Sequence, residues 1–256
     1  MSAGRRIRAT FLSAWHSFLR RRTAVFFTFF FPVLIVGIFG ALVQTQPTGG
    51  GLFAEPPGYY VPGYLAVVVL FTPLSRVGSE VARHREGRRC EKLATTPLRR
   101  AEWLLAQTLV NVVVIGLAAL VLLVLVVVVT GLTVPLRPRT LLLVPYVALA
   151  VTLFCGVGAI LGRLADSQDG VIAASNALAL PLLFLSETFL TSDLLPGWFE
   201  PLVALSPLTY FSRGVRALTF GADGSVAAVA TTSLGILAAL AVVLFALGAL
   251  AVPWRE

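Results

Sequence analysis

Residues 103–130 read WLLAQTLVNVVVIGLAALVLLVLVVVVT, without one charged side chain. About 20 apolar residues in an α-helix cross the roughly 30 Å hydrocarbon core of a bilayer. This run is long enough to do so and does not alternate between apolar and polar positions. A spanning helix is therefore predicted, not a barrel strand.

Five further runs of the same kind flank it, at about 24–43, 60–81, 141–164, 171–190 and 226–252. The first is too long for the apolar stretch of a cleavable signal, and no small-x-small site follows it. Over the whole chain 57% of residues are apolar, only 12% are charged, and mean hydropathy is +0.90. A soluble domain carries about 25% charged residues, so soluble, disordered and coiled-coil classes are excluded. The expected fold class is an all-α membrane protein with six transmembrane helices, a single transmembrane domain over residues 1–256.

Charge placement orients the spans. Of the 20 basic residues all but Lys92 are arginine, and 16 fall on one side: the N-terminal segment, the loop after the second span, Arg163 and Arg255. Arg137, Arg139, Arg213 and Arg216 fall on the other. The excess of basic residues in cytoplasmic loops puts both termini in the cytoplasm. Topology accounts for the net charge of +8, and no nucleic-acid partner is expected. Two cysteines and two histidines supply neither a disulfide framework nor a metal site.

Three segments outside the spans carry pattern. Residues 1–22 place Ile7, Phe11, Trp15 and Phe18 at helical spacing between arginines, as in a helix lying in the headgroup region. Residues 80–102, EVARHREGRRCEKLATTPLRRAE, interleave acids with arginines around a Thr-Thr-Pro break. A loop that only fixed topology would need basic residues alone, so this segment is expected to dock a partner. Arg76 and Glu80, four apart at its edge, are expected to offset each other's desolvation. The third segment, 191–220, is rich in proline and aromatics at the outer side.

Motifs for energy conversion are missing. The single lysine, Lys92, lies in Glu91-Lys92-Leu93, which excludes a phosphate-binding loop; no nucleophile elbow or His-Glu-x-x-His helix occurs. The intramembrane polar candidates are Asn111, Asn176, Ser186 and Glu187, and no carboxylate sits near a span centre. The chain itself is therefore not expected to be an enzyme. Gly158-x-x-x-Gly162 permits close helix contact, within or between chains.

Two stretches resemble the membrane subunits of type-2 ABC (ATP-binding cassette) transporters. Arg85-Glu86, Glu91, Leu93, Thr96-Pro97, Arg100 and Glu102 follow that family's Arg-Glu … Glu-x-Leu … Thr-Pro-x-x-Arg-x-Glu pattern between the second and third helices. Arg88-Arg89-Cys90 stands where Gly-Thr-Leu is usual. Phe184-Leu185-Ser186, Leu195-Pro196-Gly197-Trp198 and Ser206-Pro207-Leu208-Thr209-Tyr210 follow its outer motif, with Glu187 where glycine is common.

The resemblance implies a permease for export, with no cofactor of its own. ATP and Mg would be bound by two copies of a separate ATPase subunit, and a second permease chain would complete the path. Residues 80–102 would be the coupling segment that meets the ATPase, through Arg85, Glu86, Glu91, Leu93, Thr96, Pro97, Arg100 and Glu102. Asn176, Ser186 and Glu187 would be candidates for the translocation path. Pro196, Trp198, Pro207 and Tyr210 would mark short outer re-entrant helices. The membrane would be a prokaryotic plasma membrane. A gradient-driven carrier, or an assembly or maturation factor on the same fold, stays open as an alternative.

Overall fold

The computed structural model describes residues 2–44, 56–87, 92–93, 95–131, 138–189, 197–220 and 226–253. Every regular element among them is helical: α1 Ala3–Arg20, α2 Arg22–Gln44, α3 Val61–Glu86, α4 Arg100–Thr130, α5 Leu143–Leu164, α6 Gln168–Phe184, α7 Glu200–Leu205, α8 Pro207–Thr219 and α9 Val226–Ala251. Short 3-10 turns precede α3, α5 and α7.

Four helical stretches are long and apolar enough to cross a membrane: Gly58–Glu86, Arg100–Thr130, Pro138–Leu164 and Ala227–Ala251. The α1–α2 pair, bent by 81°, makes a possible fifth. Helix α6, where a fifth span of 171–190 was expected, is shorter. It ends at Phe184, and residues 185–189 form turns. The last ladder bond runs from the Leu185 N–H to the Pro181 carbonyl, 2.7 Å. Ser186 Oγ then donates to the Leu183 carbonyl (2.9 Å), offering the helix end an alternative to another turn.

The centre of the molecule is a sandwich of α3, α5 and α9, closed on one side by α8. Backbones approach closely where glycines meet. A Cβ placed on Gly158 would lie 2.5 Å from the Leu74 carbonyl oxygen, and one on Gly248 2.5 Å from that of Gly156. The Gly158-x-x-x-Gly162 stripe is thus used within the chain, between α5 and α3. Tyr60, Tyr64, Leu65, Leu70, Tyr146, Phe154 and Phe211 fill the core. Over residues 61–70, nearly three turns of α3, every residue is buried, as befits a helix surrounded by others.

Helices α1, α2 and α4 form the flank. Phe18 of α1 reaches Val110 and Val114 of α4, so the amphipathic N-terminal helix is docked along one face. Its opposite face, including Arg5, Arg8, Leu12 and Leu19, is exposed.

Candidate functional site

Two polar clusters stand at opposite ends of the spans. At the end expected to be cytoplasmic, charged side chains of α3 and α4 reach the termini of other helices. Arg85 donates to the carbonyl of Arg163 (2.7 Å) and to that of Ala165, at the C-terminal end of α5. The next residue, Glu86, accepts from the backbone N–H of Gln168 (3.2 Å) and from its side-chain amide (3.3 Å), at the first turn of α6. A cation on a C-terminus and a carboxylate on an N-terminus each oppose the charge of the helix dipole. Two consecutive residues thereby pin the inner turn between α5 and α6.

Arg100 makes a third such contact, to the Leu250 carbonyl near the end of α9 (3.3 Å). Glu102 makes a fourth. Its carboxylate accepts from Arg6 Nε at 2.9 Å and Nη2 at 2.5 Å, a bidentate pair with α1, and from the Arg99 backbone N–H at 3.1 Å. The Glu102 hydrogen bond raises the Arg6 guanidinium further above its ordinary value, so the pair stays ionised. Glu102 thus serves its own helix start and the docking of α1 together.

Between α1 and the 92–98 stretch lies an open cavity of about 720 Å³. Leu93, Thr96 and Pro97 line it from one side, and Arg6, Thr10 and Arg21 from the other. Thr96 and Pro97 are exposed and Leu93 half-buried. Thr95 Oγ1 donates to the Lys92 carbonyl and Thr96 Oγ1 to that of Leu93 (2.8 and 2.6 Å), which closes the turn before the proline. Glu91 lies outside the described residues.

The expected Arg76–Glu80 pairing is not found. Glu80 gives its oxygens to Arg83 and stands 3.5 Å from His84 Nδ1 and 3.9 Å from Arg21. Arg76 instead stacks on Phe18, its Cζ 4.2 Å from the ring centre, with Nη1 buried and unpartnered. Four-residue spacing put both groups on one helical face. It could not reveal that Arg83 and His84 of the same helix compete for the carboxylate, or that α1 brings an aromatic ring to the guanidinium.

At the other end the cluster is built on Glu187, in the turn after α6. Arg213 of α8 grips its carboxylate with Nε at 2.8 Å and Nη2 at 2.5 Å. Arg216, one turn on, donates to the Glu187 carbonyl (2.5 Å) and stacks on Tyr59, 3.9 Å from the ring centre. The Glu187 hydrogen bond raises the Arg213 guanidinium above its ordinary value. Ser186 is fully buried and joins Thr188, which meets Ser212 of α8 at 3.0 Å. Glu187 directly, and Ser186 through Thr188, thereby tie this turn to α8. Asn176 is not part of this cluster. It lies on the exposed face of α6, about 12 Å before the helix end.

Of the outer motif, Pro196 lies outside the described residues. Pro207 opens α8 at its first position. Tyr210 donates to the Ala204 carbonyl (2.8 Å), and Thr209 to that of Val203 (2.6 Å), folding α7 back on α8. Trp198 is 71% exposed, as an interfacial aromatic would be.

Sequence reasoning missed Arg6, Arg163 and Thr188 as partners. Only the adjacent opposite charges of Arg85-Glu86 carried a readable signal of two helix ends. The described residues contain no group of three or more His, Cys, Asp or Glu that could hold a metal ion.

Comparison with known proteins places these clusters in context. The family model described as ABC-2 type transporter matches residues 5–220. A daunorubicin resistance ABC transporter permease protein, DrrB1 of Streptomyces coeruleorubidus, is 32% identical over 85 residues. That similarity covers 32% of this chain and 30% of the relative's length.

Proposed function

The chain belongs to the ABC-2 type transporter family, and from that premise we propose that it is the permease subunit of an ATP-driven exporter. A separate ATPase subunit docks on residues 80–102. The observation that carries this reading is the bracing of that segment. Its two ends hold α1, the α5–α6 turn and the end of α9 through Glu102, Arg85, Glu86 and Arg100. A force applied to the exposed Thr95–Pro97 turn reaches four helices through these contacts. A loop with no mechanical role has no use for them.

In this reading ATP and Mg stay with the partner, two ATPase copies serve two permease chains, and six spans in each chain keep both termini cytoplasmic in a prokaryotic plasma membrane. The α7–α8 hairpin is the short outer re-entrant element, and α6 reaches the outer boundary through its terminal turn. The second permease chain covers the exposed stripes of α2 and α6. Phe26 and Phe30 stack 5.0 Å apart on the first, and Ile172, Leu180 and Phe184 are exposed on the second. The cargo is a hydrophobic or amphipathic molecule passing near Asn176, and Glu187 with Ser186 hold the outer end closed.

Charge reversal at Glu91 tests the docking. Glu91→Lys, in full-length chain purified with its ATPase, is expected to lower recovery of the ATPase about tenfold at unchanged membrane insertion, the scale of one lost charge-assisted contact. Unchanged recovery and unchanged transport would refute the docking assignment.

A further inference from the structure

The bent α1–α2 pair and α3 enclose a cleft that none of the contacts above uses. It has a volume of about 350 Å³ and lies along α2 from Ala24 to Pro32, opposite Val68 to Arg76 of α3. The two helices run in opposite directions, so the cleft is elongated along them, roughly 12 Å by helix rise. Its walls are Phe27, Phe31 and Phe71. Arg76 stands at its inner end, under the ring of Phe18.

The charge at that end is unbalanced. Arg21, Arg76 and Arg83 converge there on one carboxylate, Glu80, and Arg83 with Arg21 take it up. Arg76 has no carboxylate within ion-pairing distance among the described residues, and its buried Nη1 has no hydrogen-bond partner. A buried guanidinium nitrogen without a partner is costly, and an anion would relieve it. A second cavity, of about 90 Å³, adjoins the same guanidinium and is lined by Arg21, Phe18 and Glu80. There is room beside Arg76 for a small charged group, flanked by a second arginine.

Depth selects among anions. Helix α1 is amphipathic and meets α2 at 81°, so it lies along the bilayer surface while α2 enters it. Phe18 of α1 holds the Arg76 guanidinium at the headgroup boundary. From there the aromatic cleft runs toward the midplane for roughly 12 Å, close to the ~15 Å reach of one acyl chain in a ~30 Å core. A cationic end at headgroup level and an apolar slot of tail length together match one lipid molecule.

We propose that the α1–α2–α3 cleft is a binding site for an anionic phospholipid of the cytoplasmic leaflet, its phosphate on Arg76 and Arg21 and one tail along Phe27, Phe31 and Phe71. Phe26 and Phe30 adjoin Phe27, at 5.4 and 6.5 Å between ring centres, but do not line the cleft, so a second permease chain on that stripe would border the site without filling it. The lipid pins α1 and α2 to α3 next to the coupling segment.

Native mass spectrometry of the full-length chain in neutral detergent tests this, with phosphatidylglycerol and phosphatidylcholine of identical acyl chains as probes. The parent is expected to retain phosphatidylglycerol preferentially. Arg76→Gln should lower that retention about tenfold, the scale of one charge-assisted hydrogen bond. Arg8→Gln, on the exposed face of α1, should leave it unchanged. Thr72→Phe keeps every charge and fills the slot, so it should lower retention of phosphatidylglycerol on its own and stands in should Arg76→Gln fail to insert. Equal retention of the two lipids by the parent would overturn the site. So would an Arg76→Gln or Thr72→Phe protein that holds phosphatidylglycerol as the parent does.

Discussion

Glu187 shows how much one side chain can change the reading of a site. The family pattern has glycine there, and a lone carboxylate near the outer boundary invites a role in selecting cations. In the structure Arg213 spends that charge, and Arg216 binds the backbone of the same residue. The pair is partly open to solvent, Arg213 being 43% exposed in its side chain and Glu187 14%, so its net contribution is on the order of 0.5–1 kcal/mol. Glu187→Gln is expected to lower stability by about that amount. Adding Arg213→Gln should cost little more, because the partner is already lost. A thermal-unfolding double-mutant cycle measures this, and strictly additive losses would mean that the pair does not form. The Arg216–Tyr59 stack survives in both variants and should hold α8 in place.

At the scale of helices, close approach through glycine organises the core. A leucine at Gly158 meets the Leu74 carbonyl of α3, where even a Cβ would stand only 2.5 Å away. Gly158→Leu should therefore destabilise the fold by about 1–3 kcal/mol through overpacking, read as a lower melting temperature. Gly116→Leu serves as a control, since nothing lies within 4 Å of a Cβ there. The inner braces give a functional counterpart. Arg85→Ala removes the contact that caps α5 and leaves the exposed Thr95–Pro97 turn intact. The ATPase should then still bind, while transport per ATP hydrolysed falls several-fold; transport at parental coupling would contradict the bracing.

Much of this scale was legible beforehand. Continuous apolar runs announced the helices α3, α4, α5 and α9, and Ile7, Phe11, Trp15 and Phe18 announced α1. At α6 the expected run of 171–190 extends past the helix, which ends at Phe184, because hydropathy does not register a serine hydroxyl taking a helix-end carbonyl. Helical spacing also misassigned Arg76 and Glu80: Glu80 pairs with Arg83 of its own helix, and Arg76 stacks on Phe18 of α1. The residues of 80–102 were legible as a family pattern, but their contacts were not. Arg85, Glu86, Arg100 and Glu102 are bound to helix ends and to Arg6, distances that no local spacing encodes.

For the whole molecule, membership of the ABC-2 type transporter family and the braced inner face are the grounds on which we propose that a separate ATPase drives the chain. The same features make a gradient-driven carrier a poor fit, since no carboxylate among the described residues lies in the middle third of a candidate span. Quantitative recovery of partners decides between them. A tagged full-length chain, solubilised from its own membranes and resolved by mass spectrometry, should bring down an ATPase with a phosphate-binding loop in near-equal amount. Recovery of an intact, folded chain with no such ATPase would contradict the account.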